Sequence, residues 1–234
     1  MRGLTHRPLM ARAAAMLAIC LLCSLLSACD GAAGESEPPR RTPVIQKVTP
    51  VVMVVGDSFT VGSGPVPAWR TYAAQTARML GWQPVIAGAG GTGYLNRGRV
   101  GRTFQQSFDA ELSWRPAPDV LILSGGHNDH RLPTLLVRRA AARLVWEVKG
   151  RWPKTRIVMV GPIWLENAPP EVYQVRDALK EVAAREGVPF LDPLARRWVT
   201  GRPAETVLPD GVHPTAAGHF RIARWLAQAF RRIS

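Results

Sequence analysis

From Pro50 onward, short runs of β-branched and other apolar residues alternate with stretches of ten or more residues that carry a helical period, and few folds accommodate that alternation. Strands separated by helices of that length are not hairpin partners. They run parallel and join through right-handed crossovers, with helices on both faces of the sheet. The pattern predicts strands at 51–55, 84–87, 119–123, 157–160 and 188–191. It predicts helices at 68–80, ended by Gly81; at about 135–149, stopping at Gly150; at 171–185, before Gly187; and at 215–230, after Pro214. The expected fold class is therefore α/β, a flavodoxin-like three-layer α/β/α sandwich on a five-stranded parallel sheet. A length of 234 residues allows one such domain, spanning 50–234, and the sequence has no internal repeat.

The N-terminal residues follow a different logic. Arg2, Arg7 and Arg12 form a basic head, and 13–26 form an apolar run too short and too rich in small residues for a permanent span, so 1–28 read as an export signal. The run ends in Leu26-Ser27-Ala28-Cys29, which resembles the bacterial lipobox. That resemblance implies cleavage before Cys29 and lipidation of its thiol, which would anchor the mature chain to the extracytoplasmic face of a membrane. Residues 29–49, with Gly31, Gly34, Pro38, Pro39 and Pro43 and no sustained apolar period, read as a flexible tether. As a coil, some twenty residues span roughly 25 Å, enough to hold a domain clear of a bilayer.

All three cysteines, Cys20, Cys23 and Cys29, fall in or next to the signal. The domain beyond them has no disulfide, no cysteine nucleophile and no cysteine-ligated zinc. The net charge of +13 falls to +10 when the three arginines ahead of Cys29 leave with the signal. Such a surplus suits anionic surroundings, but the chain carries no helix-turn-helix, zinc-finger or RNA-binding pattern, and export argues against nucleic acid. Anionic headgroups or acidic wall polymers are the partners that charge would attract, but a plain solvated surface is the preferred reading of composition alone.

Ser58 follows the buried-strand pattern of 51–55, at the end of a strand where open α/β sheets bind ligands. Asp210-Gly211-Val212-His213 lies near the C-terminus. A serine hydroxyl is a weak nucleophile until an imidazole takes its proton, and the imidazole needs a partner to fix its tautomer. Asp210, three residues before His213, can reach it from the same loop. Singly, Ser58 reads as well as a helix cap, and His213 as a surface histidine beside Pro214.

Four separated blocks change that balance. Gly56-Asp57-Ser58-Phe59, Gly88-Ala89-Gly90-Gly91-Thr92, Gly126-His127-Asn128-Asp129 and Asp210-Gly211-Val212-His213 stand in the order found in the SGNH, or GDSL-type, hydrolases, which the chain resembles. The resemblance implies Ser58 as nucleophile, His213 as general base and Asp210 as the group orienting it. It implies an oxyanion hole made by the backbone N–H of Ser58, the backbone N–H of Gly91 and the side-chain amide of Asn128. Gly91 is preferred to Gly88, Gly90 and Gly93 because it directly precedes Thr92, three residues after Gly88. Ile86 stands where the family commonly has an asparagine.

Other residues have weaker claims. Asp57 is expected to stabilise a turn, and Asp192 to end a strand or cap a helix instead of serving as the triad acid. Tyr94, His127 and Trp164 are candidates for a substrate pocket, with loop packing as the alternative for His127 and His130 and a place in the core as the alternative for Tyr94 and Trp164. Trp69, Trp82, Trp146 and Trp152 are expected in the core.

The resemblance implies a serine esterase that cleaves acyl esters, acetyl esters among them, of a carbohydrate or envelope lipid through an acyl-enzyme. Neither cofactor nor metal is expected, the partners are the ester substrate and the membrane, and the expected state is a monomer. Two alternatives stay open: an O-acyltransferase using the same triad, and a non-catalytic glycan-binding envelope protein.

Overall fold

A computed structural model describes residues 48–165, 167–196 and 203–233, which belong to a unit spanning Lys47–Ser234. The expected signal, the lipidation site at Cys29 and all but the last two residues of the tether lie outside the described residues.

Strands β1 (Val51–Gly56), β2 (Gln83–Gly88), β3 (Val120–Ser124), β4 (Arg156–Val160) and β5 (Phe190–Leu191) form one sheet in the order β2-β1-β3-β4-β5, every pair parallel. This is the doubly wound order expected for helical crossovers on both faces. Successive strand residues point to opposite faces, and because both faces are covered the central strands β1, β3 and β4 are apolar except at Arg156 and Ser124, at strand ends. Met53, Val55, Leu121, Leu123, Ile157 and Met159 enter one core, with side chains from α4 (Thr134–Arg151) and α5 (Pro170–Arg185). Val52, Val54, Val120, Ile122, Val158 and Val160 enter the other, with α2 (Tyr72–Leu80) and α8 (Ala216–Ile233).

Three expectations need adjustment at their ends. The helix expected at 68–80 is split: Ala68–Arg70 form one 3₁₀ turn, and Thr71 adopts extended backbone so that its hydroxyl can cap α2 at the Ala74 N–H. Helix α4 runs through Gly150 to Arg151, because the buried Trp152 continues the hydrogen-bonding pattern by donating to the Val148 carbonyl. Strand β5 has two residues instead of four: the Val188 N–H is drawn back to the Ala183 carbonyl at the end of α5, and Pro189 has no N–H to give a ladder.

Four short helices complete the described chain: α1 (Ser58–Val61), α3 (Phe104–Ser107), α6 (Pro193–Arg196) and α7 (Pro203–Thr206). Helix α3 opens on a capping box between Thr103 and Gln106 and passes directly into a π-helical turn at Phe108–Leu112. The two tryptophans expected in the core that do not lie there are Trp69 and Trp146, 59% and 72% exposed. Trp146 falls on the face of α4 opposite Val137, Ala141, Leu144, Val145 and Val148, which are the buried positions. The Trp69 ring is covered by the Arg70 guanidinium, 4.7 Å from its centroid. Trp152 is buried, and Trp82 is half-buried with its ring edge-on to Phe230.

Candidate active site

The C-terminal ends of β1, β2, β3 and β4 lie along one edge of the sheet, and the loops that follow them meet there. Asp57 follows β1 with extended backbone, and its Oδ1 accepts the Phe59 N–H at 3.0 Å, capping α1. Ser58 is thereby fixed as the first residue of α1, 8% exposed, on a turn that its neighbour holds in place. The expected turn role of Asp57 is the one observed. Burial raises its carboxyl to about 7, outweighing the Phe59 N–H bond, with the nearby Asp129 adding to the rise.

His213 arrives from the far end of the chain on a closed loop. Val207 and Pro214 pair antiparallel, the Leu208 N–H donates to the His213 carbonyl at 2.7 Å, and Gly211 turns the tip with a positive φ of 69°. Inside this loop Asp210 divides its two oxygens. Oδ1 accepts the N–H groups of Val212 and His213, both at 2.9 Å, and Oδ2 lies 2.7 Å from His213 Nδ1. The Asp-x-x-His spacing therefore works through backbone geometry: the two N–H bonds pin the carboxylate where the imidazole must meet it. His213 Nε2 lies 2.9 Å from Ser58 Oγ.

This series gives Ser58 a proton acceptor and gives that acceptor a fixed orientation. Partial desolvation acts to raise the Asp210 pKa, but the His213 N–H, the His213 side chain and the Val212 N–H prevail and lower it to about 2. Asp210 is thus an anion across the neutral range, able to stabilise an imidazolium as it forms.

The second and third blocks lie beside the serine. Gly91 has φ of 76°, a backbone state that favours glycine, and among the described residues its N–H has no protein acceptor. A Cβ placed on Gly90 would lie 3.8 Å from the Ser58 Cβ, so this glycine loop passes directly over the nucleophile. Asn128 Nδ2 donates to the Thr92 carbonyl at 2.9 Å, which orients the amide and leaves its second N–H uncommitted.

Asp129 ties the two blocks together, a role that the sequence reading did not identify. Its buried carboxylate accepts the N–H groups of Tyr94, Leu95 and Asn96 at 2.9, 3.0 and 2.8 Å, and Asn96 in turn donates to the Asn128 carbonyl. Gly93 is required at this junction because any Cβ there would collide with the Asp129 carboxylate.

Of the three pocket candidates, Tyr94 is corrected. Its ring is 2% exposed and packs in the core on Phe104, because the bond from its own N–H to Asp129 turns the chain inward. His127 and Trp164 do meet, stacked at 4.4 Å and 21°, and His130 packs edge-on to Trp164. Phe59 touches both His127 and His213, with ring centroids at 5.3 and 5.6 Å. A half-buried aromatic wall thus adjoins the Ser58–His213 pair.

Asp192 is remote from this chemistry. It accepts the Ala195 N–H and pairs with Arg176. No group of three or more His, Cys, Asp or Glu among the described residues is arranged to hold a metal.

Comparison with known proteins identifies the family and the fold. A family model described as the GDSL-like lipase/acylhydrolase family matches residues 54–221. A GDSL lipase from Mycobacterium tuberculosis is 29% identical over 189 residues, covering 75% of this chain and 79% of that protein. Among solved structures, a family-two carbohydrate esterase from Clostridium thermocellum, in complex with cellohexaose, superposes with a TM-score of 0.65 at 21% identity, over 78% of this chain and 64% of that one. A carbohydrate acetylesterase from Sinorhizobium meliloti superposes with a TM-score of 0.64 at 18% identity, over 80% and 100% of the two chains. At those identities the two structures establish the shared fold.

Two histidines near the site, the half-buried His127 and the buried His219, make stability pH-dependent. Desolvation lowers both His127 and His219 to about 4, against the ordinary 6.5; His219 accepts the Tyr72 N–H on Nδ1. Between those values the unfolded chain binds protons that the folded chain refuses, so stability is present above pH 6.5 and falls as pH drops toward 4. Each histidine contributes a slope of up to about 1.4 kcal/mol per pH unit. Urea unfolding at several pH values in this window should give a shallower dependence for His219→Asn, which keeps an acceptor for Tyr72. An unchanged slope would mean that His219 does not titrate this way.

Proposed function

The chain belongs to the GDSL-like lipase/acylhydrolase family and is a hydrolase acting on ester bonds, and from that premise we propose that Ser58 cleaves acyl esters through a covalent acyl-enzyme. The observation that carries this reading is the continuous series from Ser58 Oγ to His213 Nε2 and from His213 Nδ1 to Asp210 Oδ2, at 2.9 and 2.7 Å.

In the first half-reaction, Ser58 Oγ bonds to the ester carbonyl carbon and passes its proton to His213 Nε2. The carbonyl oxygen becomes an oxyanion facing the N–H groups of Ser58 and Gly91 and the free N–H of Asn128. Collapse breaks the bond to the alcohol oxygen, which leaves with the proton from His213. Water then adds to the acyl-enzyme, giving its proton to His213, and the second collapse releases the acid and returns the proton to Ser58. Asp210 keeps its charge throughout and steadies the imidazolium.

The substrate we propose is an acyl ester of a carbohydrate, acetyl esters among them. The stacked His127 and Trp164 support it, since aromatic faces beside the reacting serine suit the C–H face of a sugar. The names of the structural relatives, carbohydrate esterases and an acetylesterase, point the same way. We further propose that the enzyme works outside the cytoplasm on a lipid anchor at Cys29, on the strength of the basic head, apolar run and lipobox-like end of 1–29.

Two experiments test these proposals. Ser58→Ala should remove turnover of p-nitrophenyl acetate with circular dichroism unchanged, and Asn128→Ala should lower kcat by about 10²–10³-fold with little change in KM. Retained activity in Ser58→Ala would refute the assignment. Cys29→Ser, expressed in a bacterium, should move the protein from the membrane to the soluble fraction at the same specific activity, and continued membrane association would refute the anchor.

A further inference from the structure

Among the described residues three tryptophans expose more than half of their surface, and two of these, Trp114 at 64% and Trp146 at 72%, line one groove. The groove encloses about 460 Å³, within the range of small-molecule sites. Its floor is the buried Phe108 ring, and Asp109, Glu147 and Arg151 supply polar groups around it. It is far from Ser58. The wall formed by α4 comes from the last turns of that helix, and Trp146 lies about 18 Å along the axis from Thr134, which follows the Asn128 loop. The opposite wall is the π-helical turn at Phe108–Leu112 and the chain leading into the N-terminal end of β3, the edge of the sheet opposite the active site.

We propose that this groove is a second, non-catalytic binding site that takes an uncharged glycan chain, with the indoles of Trp114 and Trp146 stacking on sugar faces.

Two features select that occupant. Flat, exposed indoles beside carboxylates match a sugar, whose C–H face is apolar and whose rim is a ring of hydroxyls able to donate to carboxylates and accept from Arg151. Charge gives a competing polyanion little advantage. Asp109 and Glu147 offset the Arg115, Arg143 and Arg151 guanidiniums around the groove, so it lacks the concentrated positive charge that a phosphate backbone or an anionic headgroup selects.

The walls are also built to hold their shape. Gln105 Nε2 donates to Asp109 Oδ1 at 3.1 Å, Ser113 Oγ to the Asp109 carbonyl at 2.8 Å, and Arg151 Nε to the Ser113 carbonyl at 2.7 Å. The Arg115 guanidinium stands 4.3 Å from the Trp114 ring centroid. Partial burial and the adjacent Asp109 raise the Glu147 pKa, with Arg143 opposing. The π-helical turn creates this arrangement: its wider hydrogen bond, from the Ser113 N–H to the Phe108 carbonyl, inserts a residue that re-aims Asp109 and Ser113.

The groove uses none of the residues assigned to ester cleavage, so it stands or falls independently of them. Calorimetric titration of the full chain with cellotetraose and with the tetramer of N-acetylglucosamine provides the test. At least one should bind saturably with a dissociation constant below about 1 mM. Trp114→Ala combined with Trp146→Ala should weaken that binding at least tenfold, while p-nitrophenyl acetate turnover stays within about twofold. Trp146→Tyr, which keeps an aromatic face, should retain most of the affinity. Equal affinity in wild type and double variant would overturn the proposal, as would the absence of saturable binding to either tetrasaccharide. Loss of binding to phosphatidylglycerol vesicles with glycan binding intact would overturn it in favour of a membrane-facing surface.

Discussion

The hydrogen bond between Ser58 Oγ and His213 Nε2 joins residues 155 positions apart, and the rest of the fold serves to make that distance 2.9 Å. Neither partner is on a long helix. Ser58 sits two residues past a buried strand, on a turn capped by Asp57, and His213 sits on a loop closed by the Val207–Pro214 pairing. The parallel sheet supplies the common edge: because strands β1 to β4 end at the same level, the loops that follow them can meet over one point. Two packed faces make the sheet rigid enough for such placement to persist.

Around that bond the electrostatics divide along clear lines. Asp210, exposed but tied by two backbone N–H groups, keeps its charge, whereas the half-buried His127 and the buried His219 refuse theirs. Asp129 spends its carboxylate on three backbone N–H groups and so fixes the Tyr94–Asn96 segment against the Asn128 loop. The two side-chain and backbone donors proposed for the oxyanion, Asn128 and Gly91, are therefore positioned by a carboxylate that takes no part in proton transfer. Such a clamp is suited to preorganised donors, which stabilise charge without moving as it develops.

Much of this was legible in the sequence, and the reasons differ by element. Strands 51–55 and 157–160 are recognisable because burial on both faces leaves an unbroken apolar run. The Asp-x-x-His spacing declares itself because its geometry is local. The clamp at Asp129 was not legible, since its partners lie 33 to 35 residues away and are backbone groups without sequence identity. Tyr94 was misplaced for the same reason, as its inward turn follows from that distant bond. Residue type favours the core for Trp146, but its phase on α4 relative to Val145 and Val148 places it outward. The π-helical turn has no pattern in the sequence to announce it; its first residue, Phe108, packs edge-on to Trp152, 44 positions away.

The protein thus joins two kinds of recognition on one scaffold: a hydrolytic edge built by the strand ends, and an exposed tryptophan groove at the other end of α4. The account depends most on Ser58 carrying the acyl group between ester and water. Rapid-quench mass spectrometry during the first turnovers of p-nitrophenyl acetate tests that directly. The account predicts one acetyl group per chain, located on the peptide that contains Ser58, together with a burst of nitrophenol equal to the enzyme present. Steady release of nitrophenol with neither burst nor adduct, or an adduct on a different residue, would contradict it.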